Sequence, residues 1–210
     1  KIAYFPEINE AEGIAKEVSQ VMNQTMSSLK ASGHLLEKVS FPYLEYLLPT
    51  YYILTSAEAS ANLARFDGVR YGFRDFSISN LESMYKKSRT NGFGPEVLRR
   101  ILLGTFVLSS SYHDAFYTKA QKVRHLIKDY TDDILKDYDF IISPTSATTA
   151  FEINSKIDNP VEMYLSDLFT VQASVAGIPA ISIPMGKDQN NMPIGLQVMA
   201  ASFEEEKLFS

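Results

Sequence analysis

The sequence predicts an α/β fold, and three observations carry that expectation. Three short apolar runs, Phe140–Ser143, Ala180–Pro184 and Ile194–Met199, are bounded by Pro, Gly, Thr and Ser, the pattern of strands buried in a sheet. Leu168–Ala176 lies between the first two and is followed by Gly177 and Pro179, which predicts a helix with a glycine stop. The first seventy residues alternate strand, helix and strand, which favours parallel pairing. A strand–helix–strand succession implies a crossover in the sheet, with ligands expected at the strand ends. Asp167 stands at the start of the helix in that crossover.

Taken in order, Ile2–Phe5 is a short strand ended by Pro6. From Glu10 to Lys30, Ile14, Val18, Val21, Met22, Met26 and Leu29 recur at helical spacing, and Gly33 supplies the stop. Leu36–Phe41 is a second strand, ended by Pro42. Leu44–Phe66 is rich in Leu and Ala and predicts a helix, with Pro49 marking a kink or break near its start. Its AEAS run, Ala57–Ser60, points to tight packing by small residues. Asp67–Gly72 is a loop. Asn80 is placed to cap a helix over Leu81–Arg89, and Pro95 sits at the first position of a helix reaching Leu108. A further helix spans Tyr112 to Lys136, with Phe116, Val123, Ile127, Tyr130 and Ile134 along one side. No repeat or linker interrupts the chain, so a single domain over residues 1–210 is expected.

Composition narrows the function classes. The 210 residues are 45% apolar and 21% charged, ordinary for a globular domain, and the formal net charge of −5 argues against a broad nucleic-acid footprint. The absence of Cys excludes disulfides, thiolate metal sites and a Cys nucleophile within these residues, and is compatible with a reducing cytoplasm. No apolar run reaches the length of a membrane span. The chain is expected to be a fragment: it starts without Met in a strand-like KIAYF. It ends in SFEEEKLFS, where the Ser202–Glu205 capping-box spacing opens a helix.

The residues able to carry chemistry are few. Arg100, next to Arg99 on the helix opened by Pro95, offers a planar fork that can hold a carboxylate through two hydrogen bonds. A solvated or ion-paired helix arginine is the plainer alternative. Asp167 is accounted for by capping the helix at Leu168, and Tyr51 and Tyr52 by core or interface packing. Ser109–Ser111 is a serine run with no activating base, since His113 on a helix faces away from Ser111. His34, His113 and His125 show no metal-ligand spacing, so no metal is assigned. Lys119, Lys122 and Arg124 suit a solvated helix face.

The phrases ARFDGVRYG, within Ala57–Gly72, GFGPEVLRRILLGTFVLSSSYHDAFYTKAQKVR, Gly92–Arg124, and YLSDLFTVQASVAGIPAISIPMG closely resemble the amidase-signature family. The likeness runs from Lys1 to Phe209, and within the family it is to the glutamine-hydrolysing A subunits of tRNA-dependent amidotransferases. The resemblance implies part of an α/β/α sandwich with a mixed central sheet. It implies that Arg100 binds the α-carboxylate of glutamine, that Asp167, in the YLSD motif, receives the α-ammonium, and that Tyr51 lines the pocket. It also implies a cytoplasmic protein that works with subunits B and C on aminoacyl-tRNA, with ATP and magnesium at the partner subunit. The family's Ser–Ser–Lys triad lies in a Gly/Ser-rich segment, and no such segment occurs between Lys1 and Ser210. The chain therefore resembles the C-terminal half of the subunit, without catalytic residues of its own, expected inactive alone and prone to self-association. A stand-alone amidase of the family and an inert interaction module are the alternatives.

Overall fold

A computed structural model describes residues 1–9, 13–153 and 166–209, which gather into two compact units, Lys1–Pro49 with Val123–Ser210, and Thr50–Lys122. The first unit is built on a five-stranded mixed sheet. Strands β1 (Ile2–Tyr4), β2 (Leu36–Lys38), β3 (Phe140–Pro144), β4 (Ala180–Lys187) and β5 (Pro193–Met199) lie in the order β2-β1-β3-β5-β4. β1 pairs in parallel with β2 and β3, and β5 runs antiparallel to both β3 and β4. The expected crossover from β3 to β4 is therefore present, but β5 occupies the place between them.

Alternation along β3 and β5 sets the two faces. Ile142 and Leu196 join Ile2, Leu36 and Met22 in one core cluster, with Met26 and Leu29 packed against it. Met22, Met26 and Leu29 come from α2 (Lys16–Ala31), so this face is covered by α2. Ile141, one position from Ile142, and Met199, three from Leu196, are fully buried on the opposite face. Strands β3 and β5 are thus buried on both faces and read as apolar runs, whereas the edge strand β4 is largely exposed.

The hairpin between β4 and β5 turns on Asp188, whose carboxylate accepts from the amides of Asn190 at 2.8 Å and Met192 at 2.9 Å. Beside the hairpin, Thr145 and Ser182 meet hydroxyl to hydroxyl at 2.6 Å across β5. A Cβ on Gly195 would come within 2.7 Å of Thr145 Oγ1 and 2.8 Å of Ser182 Oγ, so only glycine leaves room for that bridge.

Several boundaries differ from expectation, each for a local reason. Residues 10–12, where the second element is expected to begin, lie outside the described residues; Pro6–Asn9 forms α1, and α2 starts only at Lys16, after Gly13 at φ 92°. Pro6 therefore opens a helix as well as ending a strand. β2 stops at Lys38, three residues early. The helix expected from Leu168 is α7 (Val171–Ala176), because the Asp167 carbonyl first closes a turn on the Thr170 and Val171 amides at 3.0 and 3.2 Å. Near the C-terminus, Phe203 takes φ 66°, and α8 begins at Glu205 rather than after Ser202.

The second unit is helical. It holds most of α3 (Leu44–Leu63), then α4 (Leu81–Gly92) and α5 (Pro95–Val107). Pro49 is accommodated inside α3. Asn80 caps α4 as its position predicts, accepting from the Ser83 amide at 3.0 Å, and Pro95 opens α5. The long helix expected from Tyr112 is a π-helical turn over His113–Thr118 followed by α6 (Lys119–Asp137). The AEAS run does pack tightly: a Cβ on Gly104 of α5 would collide with the Ser56 carbonyl and lie 2.6 Å from Ser60 Cβ, and Ser60 meets Thr105 at 3.0 Å. In the loop after α3, Asp67 accepts from the amides of Val69 at 2.9 Å and Arg70 at 3.0 Å and from the Arg70 guanidinium.

Two outcomes follow from these contacts. Gly104→Ala forces two backbones apart, and overpacking of this kind typically costs about 1–3 kcal/mol; a fall in the urea midpoint is expected, and an unchanged midpoint would contradict the close approach. The backbone amides of Arg70 and Val69 hold the Asp67 carboxyl down at about 2. Because the folded value is depressed, this contribution is complete above the ordinary aspartate range and is lost as pH falls through about 2. An NMR titration should place the Asp67 midpoint near that value; a midpoint in the ordinary aspartate range would mean that the turn does not hold the carboxylate.

Candidate functional site

Arg100 lies one turn into α5, four residues after Glu96, a spacing that puts both on one helix face. Its Nε donates to Glu96 Oε1 at 2.9 Å, and its guanidinium carbon sits 5.2 Å from the centre of the Tyr52 ring. Tyr52 is buried, and Tyr51 stands edge-on to it at 5.2 Å between ring centroids. Glu96 also holds Arg99, with Nη2 at 2.8 Å from Oε2. Two guanidinium groups thus share one carboxylate, and these three side chains carry one net positive charge. Partial burial pushes the Arg100 guanidinium down, but the hydrogen bond and charge of Glu96 outweigh it and raise the group above its usual range. Glu96 is likewise pushed up by burial and drawn lower overall by Arg100 and Arg99.

Asp167 belongs to the other unit and sits in the turn that precedes α7. It does not cap a helix at Leu168; Thr170 takes the N-cap position of α7. The Asp167 carbonyl also accepts from Thr170 Oγ1 at 3.0 Å, so the residue is held by its backbone. The structure thus gathers Arg100, Tyr52 and Tyr51 in the helical unit and places Asp167 in the sheet unit. Tyr164 and Leu165, the first half of the YLSD motif, lie outside the described residues.

Sequence reasoning missed the groups that fix these residues. Glu96 orients Arg100, and its i to i+4 spacing was the available signal. Gln197 reads in the sequence only as part of a buried strand, yet a polar residue inside the run IGLQVM is a sign of a buried partner. Its Nε2 donates to the Phe169 carbonyl at 2.8 Å and to Ser143 Oγ at 3.2 Å. Helix α7 is tied at both ends as well: Gln172 donates to Thr131 Oγ1 at 3.3 Å, and Arg124 Nε donates to the Val175 carbonyl at 3.1 Å. Arg124 is exposed, in keeping with a solvated helix face, and also anchors the end of α7.

In the serine run, Ser109 Oγ donates to the Phe106 carbonyl at the end of α5. His113 contacts its neighbour Asp114 at 3.2 Å. Among the described residues, no group of three or more His, Asp or Glu side chains is placed to hold a metal ion, and no helix is long and apolar enough to cross a membrane.

Comparison with known proteins gives this geometry a context. The amidase family model matches residues 1–209. The chain is 55% identical over 193 residues to the A subunit of the glutamyl-tRNA(Gln) amidotransferase of Halothermothrix orenii, covering 90% of this chain and 40% of that protein. It is 50% identical over 199 residues to the corresponding protein of Oceanobacillus iheyensis, covering 95% and 41%. The chain thus spans about 40% of the length of the curated relatives it matches. Among solved structures, the A subunit of the Thermotoga maritima glutamyl-tRNA(Gln) amidotransferase superposes with a TM-score of 0.73 at 38% identity, over 99% of this chain and 40% of that one. A solved amidase at 21% identity, with a TM-score of 0.74 over 99% of this chain and 43% of its own, shares the fold. With a family match across nearly every residue and a mixed α/β architecture common to its solved members, this chain belongs to the amidase family.

Proposed function

We propose that these residues form the substrate-binding part of the glutaminase subunit of a tRNA-dependent amidotransferase. The observation that carries this reading is 55% identity, over 90% of the chain, to the A subunit of a glutamyl-tRNA(Gln) amidotransferase. In this reading the full-length protein hydrolyses glutamine and supplies ammonia for converting Glu-tRNA(Gln) or Asp-tRNA(Asn) to the amidated form. Subunits B and C are the partners, ATP and magnesium act on one of those partners, and the assembly works in the cytoplasm.

Free glutamine differs from simple amides in carrying an α-carboxylate and an α-ammonium on one carbon. Arg100 supplies the cation for the first. The Glu96 bond uses Nε, so the Nη edge of the fork is the one that takes the substrate carboxylate in this proposal. The Tyr52 ring beneath the guanidinium limits its rotation, and Tyr51 lines the same region. The carboxylate of Asp167 receives the α-ammonium. Neither residue attacks the amide; that step belongs to the Ser–Ser–Lys triad, which these residues do not include.

Two experiments test the proposal. In the full-length protein, Arg100→Ala and Asp167→Ala each remove one charge-assisted contact, typically ~1.5–3 kcal/mol, or roughly 10- to 200-fold in glutamine affinity. Transamidation fed by free ammonia should persist, because it bypasses the glutamine site. Equal loss of the ammonia-fed reaction would assign both residues to the fold. The 210-residue chain alone should not hydrolyse glutamine, and turnover that survives replacement of Ser109–Ser111 would overturn its reading as a part without the nucleophile.

A further inference from the structure

The turn that carries Asp167 is held from below by a side chain of the sheet. Gln197 stands on β5, paired in register with Ser143 of β3 on one side and Ser182 of β4 on the other. It is 4% exposed, and Ser143 is 1% exposed. Its primary amide has two N–H donors, and Nε2 donates to both the Phe169 carbonyl, at 2.8 Å, and Ser143 Oγ, at 3.2 Å. The orientation is not interchangeable. Flipping the amide would set two carbonyl oxygens against each other at Phe169 and leave that backbone acceptor buried without a donor.

The Phe169 carbonyl matters because of where it lies. Residues 166–170 form consecutive turns, and Phe169 within them is 1% exposed. The Asp167 carbonyl closes the same turn through Thr170 and Val171. The backbone of residues 167–171 is therefore pinned by its own turn bonds, by a buried ring and by one side chain reaching out of the sheet. Gln197 comes from an element distant in sequence and ties the turn to β5.

We infer that Gln197 is the positioning residue of the Asp167 turn, acting through the Phe169 carbonyl. It touches no substrate. Its effect on glutamine use rests on the proposal that Asp167 receives the α-ammonium, whereas its effect on the turn does not.

The test uses the full-length protein. Gln197→Met keeps length and removes both donors; Gln197→Glu, of the same shape, serves if the methionine variant does not fold. Hydrogen exchange at the Thr170 and Val171 amides should accelerate. The KM for glutamine should rise about 5- to 10-fold, the worth of about one neutral hydrogen bond, while kcat and ammonia-fed transamidation change little. Ser143→Ala leaves the Phe169 contact in place and should alter neither readout. In a double-mutant cycle, Gln197→Met should add little to Asp167→Asn, because both act on one contact. Unchanged exchange at Thr170 and Val171, an equal effect of Ser143→Ala, or full additivity with Asp167→Asn would each overturn the inference. If exchange accelerates but Asp167→Asn leaves the glutamine KM unchanged, the α-ammonium role falls and the anchoring of the turn stands.

Discussion

The organisation of the sheet unit depends on β5 lying between β3 and β4 with both of its backbone edges paired. A strand in that position has no freedom to slide. Each step of one residue would carry Leu196 and Val198 away from the α2 side and send Gln197 into an apolar layer. Fixing β5 therefore fixes the side-chain lattice on both faces at once. On one face that lattice is apolar and binds α2. On the other, apolar burial by Ile141 and Met199 is interrupted by the buried pair Ser143 and Gln197. Buried polar groups of this kind cost stability unless they are satisfied, and Gln197 is satisfied by a carbonyl of the Asp167 turn.

The helical unit solves a related problem by different means. In the role proposed for Arg100, an arginine that takes a carboxylate ligand must be rigid enough to aim and still keep net charge to offer. Glu96 fixes the Nε edge of Arg100, and the second guanidinium of Arg99 restores the charge that Glu96 would otherwise cancel. The Tyr52 ring adds a flat support beneath the fork. The arrangement gives both members of the adjacent arginine pair a contact with Glu96. Arg100 is the member of the pair that stacks on the ring; Arg99 is the more exposed of the two and acts as counterweight.

Much of this was legible in the residues, and the gaps have physical causes. Strand positions followed from apolar runs bounded by Pro and Gly, and β1, β3, β4 and β5 lie close to where those runs put them. The N-terminus of α4 followed from Asn80, since a cap is a local interaction. The start of α7 at Val171 did not follow, because the carbonyl–amide closure at Asp167 leaves no side-chain signature. The place of β5 between β3 and β4 is a long-range pairing that periodicity does not encode. Arg100 stood out as a chemical type, and the role proposed for it rests on family likeness. Glu96 and Gln197 were passed over because each works by touching a distant or neighbouring group, which composition does not reveal.

The hydroxyl bridge over Gly195 bears on the order in which the sheet unit assembles. The β4–β5 hairpin joins residues close in sequence, and its Asp188 turn is local, so its loop closes with little entropic loss. Pairing β5 with β3 instead joins Ile141 to Met199 and needs a much larger loop closed first. The Thr145–Ser182 bond requires both pairings in correct register, since its two hydroxyls approach from opposite flanks of β5. It can therefore form only after the hairpin has docked. The bond thus joins the far strand of the hairpin to the end of β3, and its loss would weaken the docked sheet while leaving the β4–β5 pairing and the Asp188 turn in place.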